Sequence, residues 1–406
     1  MASEVITVFR SRLRPGVEEE YGTLAAEMTA LAQGMAGFVD TKTFTHADGE
    51  RVTVVTFEDI ESHNAWKEHP AHRQAQELGR TRFYSEYSIQ VGISSNSHSR
   101  MTANKPRTIL ITGATSGLGL CAARTLAADA SVHIIGTGRS ASGHDGRIEL
   151  RSLDLGSMRS IETFAAGLAA DLDSGAIPPL TAIIANAGVQ FKTAQVTEDG
   201  FEATIGINHL GHLALIARLL PLLSRPGRIA IVASGVHNPK QLTGMPHPRL
   251  EPVSDMARPQ DDRGPKRIAG LRRYSTSKLV NVLTAYALSA RLADAGIVVT
   301  AFDPGLMPGT GLARDGNALE RFAFGVLMKP LVLLPGASTS ERSGKFLARL
   351  ADGEEFGSAN GQYFAIDHKR ASSHQSYDVG QQERLLEESL DLLGLQLRTQ
   401  PCPSKQ

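Results

Sequence analysis

Residues 107–119 read RTILITGATSGLG, and residues 120–130 continue as LCAARTLAADA. The apolar run over 107–112 predicts a strand, the glycines at 113, 117 and 119 a turn, and the run beyond them a helix. In that order each glycine has a physical use. Gly113 permits a tight turn, Gly117 lets the backbone approach a pyrophosphate, and Gly119 lets the helix pack on the strand. Thr115, Ser116 and Leu118 belong to the same cradle, where the free N–H groups at the helix start bind phosphates.

The same alternation continues outward. A strand over Val132–Thr137 ends in Gly138-Arg139-Ser140, and another over 148–153 runs into Asp154-Leu155. A third, over 180–185, meets Asn186-Ala187-Gly188; RIAIVAS ends at Ser234, and IVVTAF runs into Asp303-Pro304-Gly305. Strands alternating with helical runs predict an α/β domain, a doubly wound parallel sheet of Rossmann type. An acidic residue after the second strand would hold a ribose 2′-OH, whereas Arg139 suits a 2′-phosphate, so NADP(H) is the expected cofactor. Tyr274 and Lys278, in YSTSKLVN, lie four apart on one helical face. A free phenol titrates near about 10, and an adjacent ammonium favours phenolate. Ser234 stands at the carboxyl edge of its strand, where open α/β sheets bind ligands.

With Thr112 in front, the TGxxxGxG spacing resembles the short-chain dehydrogenase/reductase fingerprint, and YSTSK is similar to that family's YxxSK motif. The resemblance implies that Asp154-Leu155 contacts the adenine ring, that Asn186-Ala187-Gly188 lies beside its ribose, and that Pro304-Gly305 lies against the nicotinamide. It further implies that Tyr274 transfers the proton while Lys278 binds the ribose and lowers the tyrosine pKa. Ser234 would orient the substrate oxygen, and Asn208, in GINHLGHLAL, would hold a relay water. Read from their surroundings alone, Asn208 could instead satisfy helix backbone and Ser234 could cap a strand end. The threonine that often follows the PG motif is displaced here to Thr310 by Pro308-Gly309. Residues 235–273 form a long insertion before Tyr274, read as a flap over the pocket. With LDLGSMRSI, NHLGH and PGLMPGTGL, this insertion resembles the retinol-dehydrogenase and protochlorophyllide-reductase-like branch, which implies a bulky apolar substrate. The Phe322–Pro335 stretch is either an apolar wall of that pocket or core packing.

Ahead of this domain, SSNSHSRMTANKP at 94–106 is small and polar and reads as a linker; Met101 within it suggests fusion at an old start codon. Residues 1–93 read strand, helix, strand, strand, helix, strand, with a turn at His46-Ala47-Asp48-Gly49 and one helix over 60–78. This order predicts a small ferredoxin-like α+β domain. The run AWKEHPAHRQAQELGRTRFYSEYSIQV, 65–91, resembles the antibiotic-biosynthesis-monooxygenase family, which implies dimerisation through the sheet and, in some members, oxygenation of aromatic substrates without metal or flavin. Trp66, His63, His69 and His72 either line a pocket or divide into a core anchor and a solvated helix face. Haem chemistry is not implied, because the first strand has no Asn and Gln76 stands ten positions after Trp66. No metal site is expected. The domain reading is therefore 1–93, linker 94–106, reductase 107–395 and a polar tail 396–406.

The 42 basic residues balance the 42 acidic ones, which gives no electrostatic reason for nucleic acid or an anionic membrane as partner. Hydrophobic residues make up 41%, enough for a buried core. Two cysteines, Cys121 and Cys402, suggest no disulfide framework and a reducing cytoplasm. No apolar run approaches the ~18–20 residues of a membrane span. Three functions remain: an NADPH-dependent reductase with a dimerisation or substrate-holding front domain, a bifunctional enzyme whose front domain also oxygenates, and a non-catalytic NADP(H) sensor. Tyr274, Lys278, Ser234 and Asn208 together argue against the sensor, which would need only the nucleotide site.

Overall fold

The computed structural model describes residues 4–93, 105–241, 243–259, 266–307 and 337–399. It contains two compact units, Met1–Met101 and Thr102–Gln406. Thr310, the Phe322–Pro335 stretch and Cys402 lie outside the described residues.

In the first unit, β1 (Val5–Leu13), α1 (Glu18–Gln33), β2 (Phe38–Thr45), β3 (Glu50–Phe57), α2 (Ile60–Glu68), α3 (Pro70–Leu78) and β4 (Tyr84–Ile93) follow in order. The strands form an antiparallel sheet in the order β2-β3-β1-β4, the expected ferredoxin-like arrangement. Ala32 of α1 and Trp66 of α2 bury against Phe57, so both helices cover one sheet face. The single helix expected over 60–78 is broken at His69-Pro70. Pro70 excludes the helical conformation from the residue before it and restarts the chain as an N1 proline.

In the second unit seven parallel strands run in the order β8-β6-β5-β9-β10-β11-β12. They are β5 (Arg107–Thr112), β6 (Val132–Gly138), β8 (Ile148–Ser152), β9 (Leu180–Ala185), β10 (Gly227–Val232), β11 (Ile297–Asp303) and β12 (Gln362–Ala365). Two short antiparallel strands, β7 (Gly143–Asp145) and β13 (His368–Lys369), close the edges and carry too little pattern to be read from sequence. Period-two alternation divides the apolar strand residues between two helix layers. Ile109, Ile111, Ile134 and Ile184 face α4 (Gly117–Leu126) and α9 (Ser340–Asp352), and Gly344 brings α9 onto the Cys121 turn of α4. Leu110, Ile135, Ile183 and Ile231 face the opposite layer. That layer comprises α5 (Met158–Asp173), α6 (Ala203–Leu222), α8 (Lys266–Arg291) and α10 (Val379–Leu393).

Two expectations need correction. Helix α6 is 20 residues long and apolar enough to cross a bilayer, contrary to the reading that no run approaches a span; 78% of its most apolar window is buried inside this domain. The insertion between Ser234 and Tyr274 is not simply a flap. Its helix α7 (Val253–Ala257) buries Val253 and Met256 against Leu210, Leu279 and Leu385, and Glu388 on α10 accepts from the Val253 amide at 2.8 Å.

Candidate active site

The nucleotide half begins where β5 ends. Gly113 and Gly117 adopt φ of +68° and +56°, the left-handed region that only glycine enters without strain. A side chain at Gly119 would overlap the Gly113 carbonyl, so the turn closes tightly, whereas one at Gly117 would meet nothing within 4 Å. The open surface over Gly117, the exposed Thr115 and Ser116, and the start of α4 together fit a dinucleotide phosphate cradle. Leu118 is buried beneath it. Arg139, just past β6, is exposed and forms no ion pair among the described residues, while its carbonyl accepts from Ser152 at 2.8 Å. Asp154 is half-buried, with Oδ1 accepting from the Gly156 amide at 2.8 Å. Leu155 lies in the core against α6, so its side chain faces the protein interior.

At the end of β9, Asn186 ties the two glycine-bearing loops together. Its Nδ2 donates to the Thr112 and Gly113 carbonyls at 2.8 and 3.2 Å, and the Asn186 and Ala187 amides both donate to Thr112 Oγ1. Gly188 follows at the surface, where a Cβ would sit 3.6 Å from both Asn208 Oδ1 and Lys278 Nζ. The nucleotide half and the proton-transfer half therefore meet at this glycine.

The proton-transfer half is buried. Tyr274 and Lys278 are 8% and 3% exposed, and Lys278 Nζ lies 5.6 Å from the Tyr274 ring centroid. The ammonium donates to the Val232 carbonyl at 3.1 Å, which anchors it to β10. Burial lowers the Lys278 pKa to about 8, with the Asp303 carboxylate opposing. Burial and then Asp303 push the Tyr274 phenol above its ordinary range; its hydrogen bond to Ser234 acts in the other direction. Lys278 was expected to lower the tyrosine pKa, whereas burial acts to raise it. Asp303 is itself held, by the Gly305 amide at 2.9 Å and the Tyr363 hydroxyl at 3.0 Å. Pro304 is buried, and its carbonyl accepts from Ser343 at 2.7 Å.

Asn208 sits in a π-helical segment of α6, Gly206–Gly211. Its side chain clasps Val189, accepting from the amide at 2.8 Å and donating to the carbonyl at 2.9 Å. It also donates to Ser277 Oγ at 3.0 Å, and Ser277 donates to the Tyr274 carbonyl at 2.8 Å. The structure thus gathers Ser234, Tyr274, Lys278 and Asn208 with the nucleotide turn, although they lie far apart in sequence. Sequence reading missed Ser277 as a link, Thr112 as a hub and Asp303 as a charge. Thr112 and Asp303 each end an apolar run and Ser277 stands within YSTSK, but none of these local patterns names a partner.

In the first unit Trp66 is a core residue, and His72 stacks on it at 4.0 Å between ring centroids. His63 is also buried, with Nε2 2.9 Å from Thr7 Oγ1, which corrects its placement on a solvated face.

Comparison with known proteins assigns both units. The family profile "short chain dehydrogenase" matches residues 107–245, and "Antibiotic biosynthesis monooxygenase" matches residues 4–78. Protochlorophyllide reductase of Avena sativa is 30% identical over 322 residues, covering 71% of this chain and 99% of that protein. The chloroplastic enzyme of Pisum sativum is 30% identical over 335 residues, covering 74% and 81%. A crystal structure of an uncharacterised protein from Mycobacterium paratuberculosis, 26% identical, superposes with a TM-score of 0.52 over 72% of this chain and 96% of that one. The glycine turn, the tyrosine and lysine beneath it and these likenesses make this chain an oxidoreductase that belongs to the short-chain dehydrogenase/reductase family, fused behind an antibiotic-biosynthesis-monooxygenase-like domain.

Proposed function

We propose that the second unit is an NADP(H)-dependent reductase acting on a carbonyl of a bulky apolar substrate, or on the corresponding alcohol in reverse. The observation that carries the reading is the buried Tyr274 beside Ser234, with Lys278 Nζ 5.6 Å from its ring. Bound NADPH supplies the hydride. Ser234 donates to the substrate oxygen, fixing the carbonyl, and Tyr274 gives that oxygen its proton as negative charge develops. Lys278 holds the nicotinamide ribose and places positive charge beside the phenolate left behind; Asn208 keeps the relay in register through Val189 and Ser277. Exposed Arg139 supports NADPH over NADH, since a guanidinium pairs with a 2′-phosphate. The branch resemblance and the names of the protochlorophyllide reductases support a large apolar substrate, with aromatic polyketides one such class. Free Cys121, packed under α9, agrees with a reducing, cytoplasmic setting.

Fluorescence titration with NADPH and NADH, followed by turnover on polycyclic ketones and quinones, tests the reading. Tyr274→Phe is expected to lower turnover by at least about 100-fold and to leave NADPH affinity nearly unchanged. Unchanged turnover would overturn the assignment, and NADPH binding with no ketone turned over would move weight to a sensor.

The first unit serves as a dimerisation or substrate-holding module. Strand pairing puts Val8, Val52, Val54 and the exposed Phe44 on the sheet face opposite Phe57, an apolar surface suited to a second copy. One observation favours a second reading, in which this unit oxygenates an aromatic substrate: buried His63 leaves Nδ1 unbonded among the described residues, one helical turn from the Trp66–His72 stack. Oxygen uptake by the full chain with anthrone-like substrates, lost in His63→Leu, would establish it; no uptake leaves the passive module.

A further inference from the structure

A histidine costs stability inside a helix whose neighbours, Leu210, Leu213 and Leu215, are fully buried, unless its ring is bonded. His212 is 3% exposed and bonds at both nitrogens. Nε2 lies 2.8 Å from Thr112 Oγ1, and Nδ1 lies 3.1 Å from the Asn208 carbonyl. The His212 amide bonds to the His209 carbonyl and not to that of Asn208.

Proton accounting fixes the ring. A threonine hydroxyl has two lone pairs and one proton. Both pairs of Thr112 are taken by the Asn186 and Ala187 amides, at 2.9 and 3.0 Å. Its proton therefore goes to His212 Nε2 at 2.8 Å rather than to the Ile184 carbonyl at 3.4 Å. The remaining nitrogen carries hydrogen and donates to Asn208. A protonated imidazole would aim a second N–H at an oxygen with no pair left, in agreement with a pKa that burial brings down to about 4. The bonds close a circuit from Thr112 through the Asn186-Ala187 turn to Val189, to Asn208, and back through His212.

We propose that His212 is a positioning residue, a permanently neutral imidazole that couples the nucleotide turn, through Thr112, to the relay asparagine, through the Asn208 carbonyl. The proposal rests on the reductase reading above. It acts on both halves of the site at once: Thr112 holds the loop that lines the nucleotide, and Asn208 holds the segment that reaches Tyr274 through Ser277.

Three substitutions separate the two bonds. Glutamine sets a carboxamide oxygen where Nε2 stands, and asparagine an amide nitrogen where Nδ1 stands. His212→Gln is therefore expected to bind NADPH within about 2-fold of the wild type but to lose several-fold in kcat. His212→Asn is expected to keep kcat at saturating NADPH and to bind it on the order of 10-fold more weakly, as for one buried hydrogen bond. His212→Leu should show both losses. Equal losses in all three that follow Tm, or wild-type constants in His212→Leu, would overturn the proposal. Thr112→Val gives a second route should a His212 variant not fold. It is expected to weaken NADPH binding at least as much as His212→Asn, because the Asn186 and Ala187 amides also lose their acceptor, and adding His212→Asn to it should cost nothing further, whereas additive losses would refute the coupling. Failure of the wild type to bind NADPH overturns the reductase reading with it; wild-type binding that no His212 variant changes overturns this inference alone.

Discussion

Tyr274 and Lys278 occupy the same buried volume yet respond to it in opposite directions, because burial penalises whichever form carries charge. The phenol rises and the ammonium falls to about 8. Reduction is therefore expected to hold level through neutral pH and to decline as pH rises through about 8, when Lys278 loses its proton while Tyr274 keeps its own. A pH profile of kcat at saturating NADPH checks this, and a flat profile to pH 10 would contradict it. The identities of Tyr274, Lys278 and Ser234 were legible in the sequence, because each stands at a position defined locally by a strand end or a helical spacing. Asp303 was not. Its influence on both groups depends on β11 lying beside β10, a tertiary fact that no local pattern carries.

At the level of elements, the glycine turn works because α4 begins hard against β5. A Cβ on Gly119 would overlap the Gly113 carbonyl, which is backbone and has nowhere to move. Gly119→Ala is expected to cost about 1–3 kcal/mol in chemical denaturation and to weaken NADPH binding with it, since the overlap opens the turn. Equal stability and affinity in the variant would show that the helix start can shift. Strands and glycine turns were legible because apolar runs end abruptly in Gly, Asn or Pro. The break between α2 and α3 was also written in the sequence, as His69-Pro70. The π-helical segment of α6 was not, because its two glycines, Gly206 and Gly211, permit such a segment without requiring it.

Across the whole molecule the apolar layers bury two histidines of α6 in neutral form, with pKa values lowered to about 3 for His209 and about 4 for His212. Their unfolded value is near about 6.5. Folded pKa values below the unfolded one mean that the unfolded chain takes up more protons as the solution is acidified. Stability of the second unit should therefore be fully present above about pH 6.5 and fall toward pH 3–4, at up to about 2.7 kcal/mol per pH unit where both contribute. Urea titrations at pH 7, 6, 5 and 4 measure the slope, and His209→Gln should shallow it. The two-unit order and the doubly wound sheet were legible from the linker and the strand-helix alternation, whereas the seating of α10 on α6 was not, since amphipathic spacing names a buried face but not its partner. That seating makes the closure of α6 wait on a part of the chain made much later. The glycine turn, Arg139 and Asn186 precede α6 in the chain, but the Asn208 helix is closed over only when Ser389, 180 residues beyond His209, reaches it at 2.8 Å. A nascent or nicked chain lacking residues 379–393 would carry the nucleotide loops with an uncovered apolar helix beside them, a form for chaperones to hold and proteases to find before any hydride has moved.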